Sequence, residues 1–101
     1  MTARAQNGPA LGFRASGEHS VRLRVYTGDR GPPSDMDVPL VDARLRPGQS
    51  ATLPFTRCYW WQRTYGESDI DWSPIARVCP PPTRAGPWFH LPPVVWIDVV
   101  N

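Results

Sequence analysis

The chain contains no lysine and only two histidines, His19 and His90. Its 13 prolines and 8 glycines interrupt it so often that the longest stretch free of both runs from Phe55 to Tyr65. Proline removes a backbone donor and clashes with the preceding helical turn, so long helices are excluded. No apolar run approaches the length of a membrane span, and the opening MTARAQNGPALGFRASG has no apolar core of signal-peptide length. A membrane partner is therefore not expected. The G-x-S-x-G elbow, the P-loop and the glycine-rich dinucleotide turn are also missing, and neither histidine stands in a motif that would activate a Ser, Cys or Thr. The expectation is a protein that is not an enzyme and carries no cofactor.

Metal ligation finds little support in the ligand spacing. Cys58 and Cys79 lack the close C-x-x-C arrangement of a structural zinc site. Glu67, Asp69 and Asp71 alternate in a way that would attract Ca²⁺, but the EF-hand spacing and its glycine are missing, so a solvated hairpin tip is the plainer reading and no metal is expected. All 11 basic residues are arginine, and the net charge is only +2. Read as scattered, these arginines do not form the clustered basic face of a nucleic-acid binder, so nucleic acid is not an expected partner. Arg22, Arg24, Arg44 and Arg46 read as the wet face of a sheet, with no aromatic interleaved among them.

At 101 residues, with 41% hydrophobic and 20% charged side chains, the chain has room for one packed core. Residues 1–17 show neither helical nor strand period and are predicted to be an arm outside it, leaving 18–101 as a single β domain. In Ser20 to Thr27 the apolar Val21, Leu23 and Val25 alternate with Arg22, Arg24 and Tyr26, which predicts a half-buried strand. After the turn-rich GDRGPPSD stretch, Val41, Ala43, Leu45 and then Ala51, Leu53, Phe55 repeat the pattern across Pro47-Gly48, a pair suited to a type II turn. A strand, a Pro-Gly turn and a strand ending in an aromatic resembles many bacterial immunoglobulin-like modules over about a tenth of the chain, and implies a sandwich.

Arg57 to Tyr65 and Asp71 to Cys79 predict an antiparallel hairpin. In one register Tyr59 faces Val78, Trp61 faces Ala76 and Tyr65 faces Trp72 on an apolar face. The other face sets Cys58 against Cys79, Trp60 against Arg77, Gln62 against Ile75 and Thr64 against Ser73. Cys58 and Cys79 are thereby placed for a disulfide, and Trp61 and Trp72 in the core. Pro74 argues for an edge or a bulge. The proline-rich stretch from Pro80 to Pro93 is predicted to cross the domain as extended polyproline II, and the doubly apolar VVWIDVV end to lie at the centre of a sheet or beneath a partner.

The expected fold is all-β, a small antiparallel sandwich or barrel of six to eight strands, immunoglobulin-like or jelly-roll-like, with the arm and the crossing segment as irregular parts. The expected function is a structural or accessory subunit of a larger assembly, joined to copies of itself or to a major structural protein. An arginine-only base content of the GC-rich type suits a capsid decoration or tail protein of a tailed phage, so the expected location is a virion or the cytoplasm. The alternative is a module that binds carbohydrate or peptide through Tyr59, Trp60 and Trp88. Trp60, Arg77, Trp88 and Trp96 are the binding residues singled out, because aromatic side chains dominate such contacts.

Overall fold

The computed structural model describes residues 9–81 and 93–100. Among them are seven strands: β1 (Ala10–Ala15), β2 (Val21–Thr27), β3 (Val41–Leu45), β4 (Ser50–Pro54), β5 (Tyr59–Arg63), β6 (Ala76–Val78) and β7 (Val94–Val99). They form two sheets, one ordered β4-β1-β7 and the other β3-β2-β5-β6. Both are open, so the fold is a sandwich and not a closed barrel.

Alternation along the strands builds the core between the sheets. Leu11, Phe13 and Ala15 of β1 meet Val21, Leu23 and Val25 of β2 in one buried cluster, completed by Leu45, Phe55, Tyr59 and Val99. The Phe13 ring packs against that of Trp61 with centroids 5.4 Å apart and planes tilted by 57°, a favourable geometry for aromatic pairs that ties the sheets together. Thr64 is fully buried, and its hydroxyl accepts the Arg22 amide at 2.9 Å, so it is not an orphaned polar group.

Three expectations are corrected. The arm does not include Ala10–Ala15, which lies at the centre of its sheet, antiparallel to β4 and parallel to β7. Its inward period of two was hidden because only Leu11 and Phe13 are large, while Gly12 and Ala15 look like linker composition. The rest of the predicted arm up to residue 8 lies outside the described residues, as do residues 82–92 of the predicted crossing segment. Second, the C-terminal strand is not central, since β7 pairs with β1 alone among the described strands, and does so in parallel. Its double apolarity has a local cause. Val95, Ile97 and Val99 pack on the core, while on the other face the Trp96 ring covers Gly12, where an added Cβ would lie 2.5 Å from the ring.

Third, the β5–β6 register holds only from Tyr59↔Val78 to Trp61↔Ala76. Beyond Pro74 it slips by one residue, so that Thr64 and not Tyr65 bridges Trp72, with Ser73 N donating to Arg63 O at 2.8 Å. Proline offers no ladder donor, and the strand bulges there. Trp72 is thereby turned out of the core, and Tyr65 is 42% exposed. The predicted Pro-Gly turn is present, with Gly48 at φ 89° and Gln49 N bonded to Arg46 O at 2.8 Å, but it carries the chain from one sheet to the other and does not close a hairpin.

Because Phe13 is fully buried and spans the two layers, Phe13→Ala should destabilise the domain by about 3–5 kcal/mol in urea unfolding. A loss under about 1 kcal/mol would show that β1 is peripheral after all. Deletion of residues 1–17 should abolish cooperative folding, since both β4 and β7 would lose their shared neighbour.

Candidate functional site

The outer face of the four-stranded sheet gathers most of the polar chemistry. Strand alternation turns Arg22, Arg24 and Tyr26 of β2 outward, and cross-strand pairing sets beside them Arg44 and Asp42 of β3 and Gln62 and Trp60 of β5. Arg77 of β6 completes the row next to Trp60. Arg22 grips Asp42 with two hydrogen bonds of 2.9 and 3.0 Å, and Arg24 reaches the same carboxylate at 3.3 Å. The Arg22 hydrogen bond holds the Asp42 carboxyl below the usual carboxylate range, partial burial opposes this, and Arg24 adds to the lowering. Arg44 pairs with Asp69 from the β5–β6 connection.

Displaced by the slip at Pro74, Trp72 lies against the same face. The Arg24 guanidinium stands 4.5 Å and that of Arg22 5.8 Å from its ring centre. Such stacking of a cation on an indole contributes about 0.5–1 kcal/mol at a half-exposed site. The arginines are therefore not scattered, and an aromatic is interleaved with them. Sequence reasoning missed this because an uninterrupted hairpin register put Trp72 inside; Pro74 was the available signal.

Trp60 and Arg77 are cross-strand neighbours as predicted, with the guanidinium 5.7 Å from the ring. Each also anchors the β2–β3 connection. The Trp60 indole donates to Arg30 O at 3.0 Å, and Arg77 donates to Gly28 O at 2.6 Å. Cys58 and Cys79, one residue beyond the Tyr59↔Val78 pair, are joined by a disulfide with Cα atoms 4.0 Å apart, which fastens short β6 to β5. Tyr59 is not available to a glycan: it is buried, its hydroxyl donates to Pro54 O at 2.5 Å, and burial pushes its pKa up.

Trp96 lies on the outer face of the other sheet, where the Arg14 guanidinium stands 4.6 Å from its ring. Arg14 bonds Asp98 at 3.1 Å, and Ser16 donates to the same carboxylate at 2.8 Å. The Ser16 hydrogen bond first, and then Arg14, keep the Asp98 carboxyl below the usual range. Trp60 and Trp96 thus belong to opposite faces of the sandwich and form no common site. Trp88 and His90 lie outside the described residues. His19 sits 3.4 Å from Glu67, whereas Asp69 is engaged by Arg44, so the alternating acids do not converge. Among the described residues no group of three or more His, Cys, Asp or Glu is placed to hold a metal.

The β2–β3 connection bounds two clefts against this sheet. One, of about 380 Å³, is lined by Arg24, Tyr26, Asp35, Asp37, Pro39 and Asp42. The second, of about 150 Å³, shares Tyr26 and Asp37 and extends to Thr27, Arg30 and Pro33. Along the connection Met36, Val38 and Leu40 are exposed by 89%, 84% and 54%, alternating with the cleft-lining Asp35, Asp37 and Pro39. The arrangement can hold a small polar ligand between an aromatic wall and a set of charged groups.

Asp42 and Asp98 both have folded-state pKa values below those of an unfolded chain, so their stabilising effect is complete above about pH 4 and is lost as the pH falls through the depressed values. The thermal midpoint should therefore decline below about pH 4. In Asp42→Asn the midpoint should be lower at neutral pH and the acid decline shallower; identical acid limbs for variant and wild type would show that Asp42 is not held by the two arginines. In comparisons with known proteins, the chain matches no family model, no curated protein and no solved structure, so its function is argued from its surfaces.

Proposed function

We propose that this protein is a non-enzymatic structural subunit that assembles with copies of itself by adding strands along the edge of β7 that no described strand covers. The observation that carries the reading is the character of that edge. Strand edges in stable monomers are blunted by shortness, proline, charge or cover. At the other ends of the two sheets, β6 is three residues long, β4 ends in Pro54, and β3 carries Asp42 and Arg44. The six residues of β7, VVWIDV, contain no proline and no basic residue, and the one acid, Asp98, is already bonded by Arg14 and Ser16.

The backbone parity supports the same partner. Ala10 N bonds Pro93 O and Ser16 N bonds Val99 O, at 2.9 and 3.0 Å. In a parallel ladder the odd residues of β7 then serve β1, and the amides of Val94, Trp96 and Asp98 face away from it, where no described strand pairs. An antiparallel copy of β7 satisfies those groups about a two-fold axis. It brings no like-charge repulsion, because Asp98 is locally neutralised, and such isologous pairing is the commonest route to a closed oligomer. Trp96, 40% exposed, and Val100, 52% exposed, add apolar surface along the same edge.

A virion component such as a capsid decoration or tail protein is the narrower form of this proposal, drawn from the arginine-only base content. The finer fold class we propose is immunoglobulin-like in its division into four and three strands. Its order, β3-β2-β5-β6 and β4-β1-β7, differs from the A-B-E-D and C-F-G sheets of a constant-type immunoglobulin domain.

The test compares molecular masses in solution. By sedimentation equilibrium the wild type should be a defined oligomer. Trp96→Ala should associate more weakly, and Trp96→Pro, which also removes an outward amide while sparing the odd-residue bonds to β1, should be monomeric. A wild type that stays monomeric across the concentration range, or a proline variant with the wild-type mass, contradicts the proposal.

A further inference from the structure

The cleft between the β2–β3 connection and the four-stranded sheet holds a polar group that the fold itself leaves unused. Tyr26 is 9% exposed and lines both clefts, yet its hydroxyl makes no hydrogen bond with any described residue. A phenol buried to this degree ordinarily has a partner, because leaving it unpaired costs about 1–3 kcal/mol. The clefts supply the space in which such a partner would sit.

The charge around that space defines the class of partner. Of the groups lining the larger cleft, Arg24 is bonded to Asp42, and Asp42 is further held by Arg22, so the Asp42 carboxylate is already engaged. The remaining acids are Asp35 and Asp37. No basic residue lies within ion-pair distance of either among the described residues, and the polar contact of Asp37 is with the Ser34 amide at 2.8 Å. The space therefore presents two carboxylates without an ion-pair partner among the described residues and one phenol, all able to accept, together with the aromatic ring of Tyr26. Carboxylates only accept hydrogen bonds, so a ligand must donate. A neutral polyol would leave the two negative charges uncompensated, whereas a cationic donor satisfies both charge and hydrogen bonding and is attracted by the ring.

We propose that this cleft is a binding site for a primary ammonium or guanidinium group, held by the Asp35 and Asp37 carboxylates and the Tyr26 hydroxyl. The larger cleft, about 380 Å³, falls within the usual range for small-ligand sites and accommodates a flexible amine. The chemistry is common to a free polyamine and to a lysine or arginine side chain of another protein. The site is on the sheet opposite to β7 and does not depend on strand addition there.

The test is a titration of the isotope-labelled wild-type protein by two-dimensional NMR at low salt, with spermidine in one series and an acetylated, amidated Gly-Arg-Gly peptide in another. Glucose and sulfate serve as controls. Shift changes should centre on Tyr26, Asp35 and Asp37 for the cations and weaken as salt is raised. Tyr26→Phe should bind the better cation about tenfold more weakly, the factor expected for one hydrogen bond to a charged group, with an unfolding midpoint at or above that of the ligand-free wild type. Asp35→Asn should weaken binding likewise. Tighter binding of spermidine identifies a free amine as the source, and tighter binding of the peptide identifies a protein side chain. The proposal fails if neither cation shifts these residues, if glucose or sulfate shifts them equally, or if Tyr26→Phe binds as the wild type does. A marked loss of stability in Tyr26→Phe would also overturn it, by showing that the hydroxyl already has a structural partner.

Discussion

Everything else in this domain depends on the insertion of Phe13 and Leu11 between the two sheets. Both are fully buried, and they come from the one strand that has neighbours on both sides in the three-stranded sheet. Each such side chain, taken out of water, contributes about 1.5–3 kcal/mol to a domain whose total stability is expected to be only about 5–15 kcal/mol. Through Phe13 the first sheet meets Trp61 of the second. The ladder on one side of β1 holds β4, and on the other it holds β7 in parallel. Without β1 the three-stranded sheet has no ladder at all, and Leu23, Val25 and Tyr59 have little to pack against.

The same constraint shapes the outer surfaces. Gly12 sits between Leu11 and Phe13 and so faces outward, where the Trp96 ring lies on its backbone and is flanked by Arg14. On the opposite sheet, the inward row Val21, Leu23, Val25 forces Arg22, Arg24 and Tyr26 out, and cross-strand pairing supplies Asp42 and Trp60. The face is largely self-satisfied: arginines bond Asp42 and stack on Trp72 and Trp60, while the Trp60 indole and Arg77 hold the β2–β3 connection by its carbonyls. Such a surface is suited to holding a shape. Among the described residues the Tyr26 hydroxyl of this face has no hydrogen-bond partner, and on the other sheet β7 has β1 as its one strand neighbour.

Elements with a full alternating row of branched or large residues were legible in the sequence, as in Val21, Leu23, Val25 and in the Tyr59–Trp61 half of the hairpin. Its cross-strand pairing, including Trp60 beside Arg77 and Cys58 joined to Cys79, followed from two faces agreeing on one register. Other elements were illegible for physical reasons. A strand built half from glycine and alanine, as β1 is, carries too few large residues to show its period. A single proline shifted the register and took both Trp72 and Tyr65 out of the core. Parallel pairing between β1 and β7 leaves no turn signature, so β7 was expected at the centre of a sheet or beneath a partner, whereas among the described strands it has β1 alone as a neighbour. The cleft at Tyr26 depends on where the β2–β3 connection folds back, which no local pattern encodes.

Native-state hydrogen exchange addresses the central role of β1 most directly, because protection reports the free energy of the opening that exposes each amide. The amides of Gly12 and Arg14, bonded within the β4-β1-β7 ladder, should be among the slowest in the protein and should exchange only with global unfolding, in step with Leu23 and Val25 of β2. If Gly12 and Arg14 exchange freely while β2 remains protected, β1 opens independently and the account of a core built around Phe13 is contradicted.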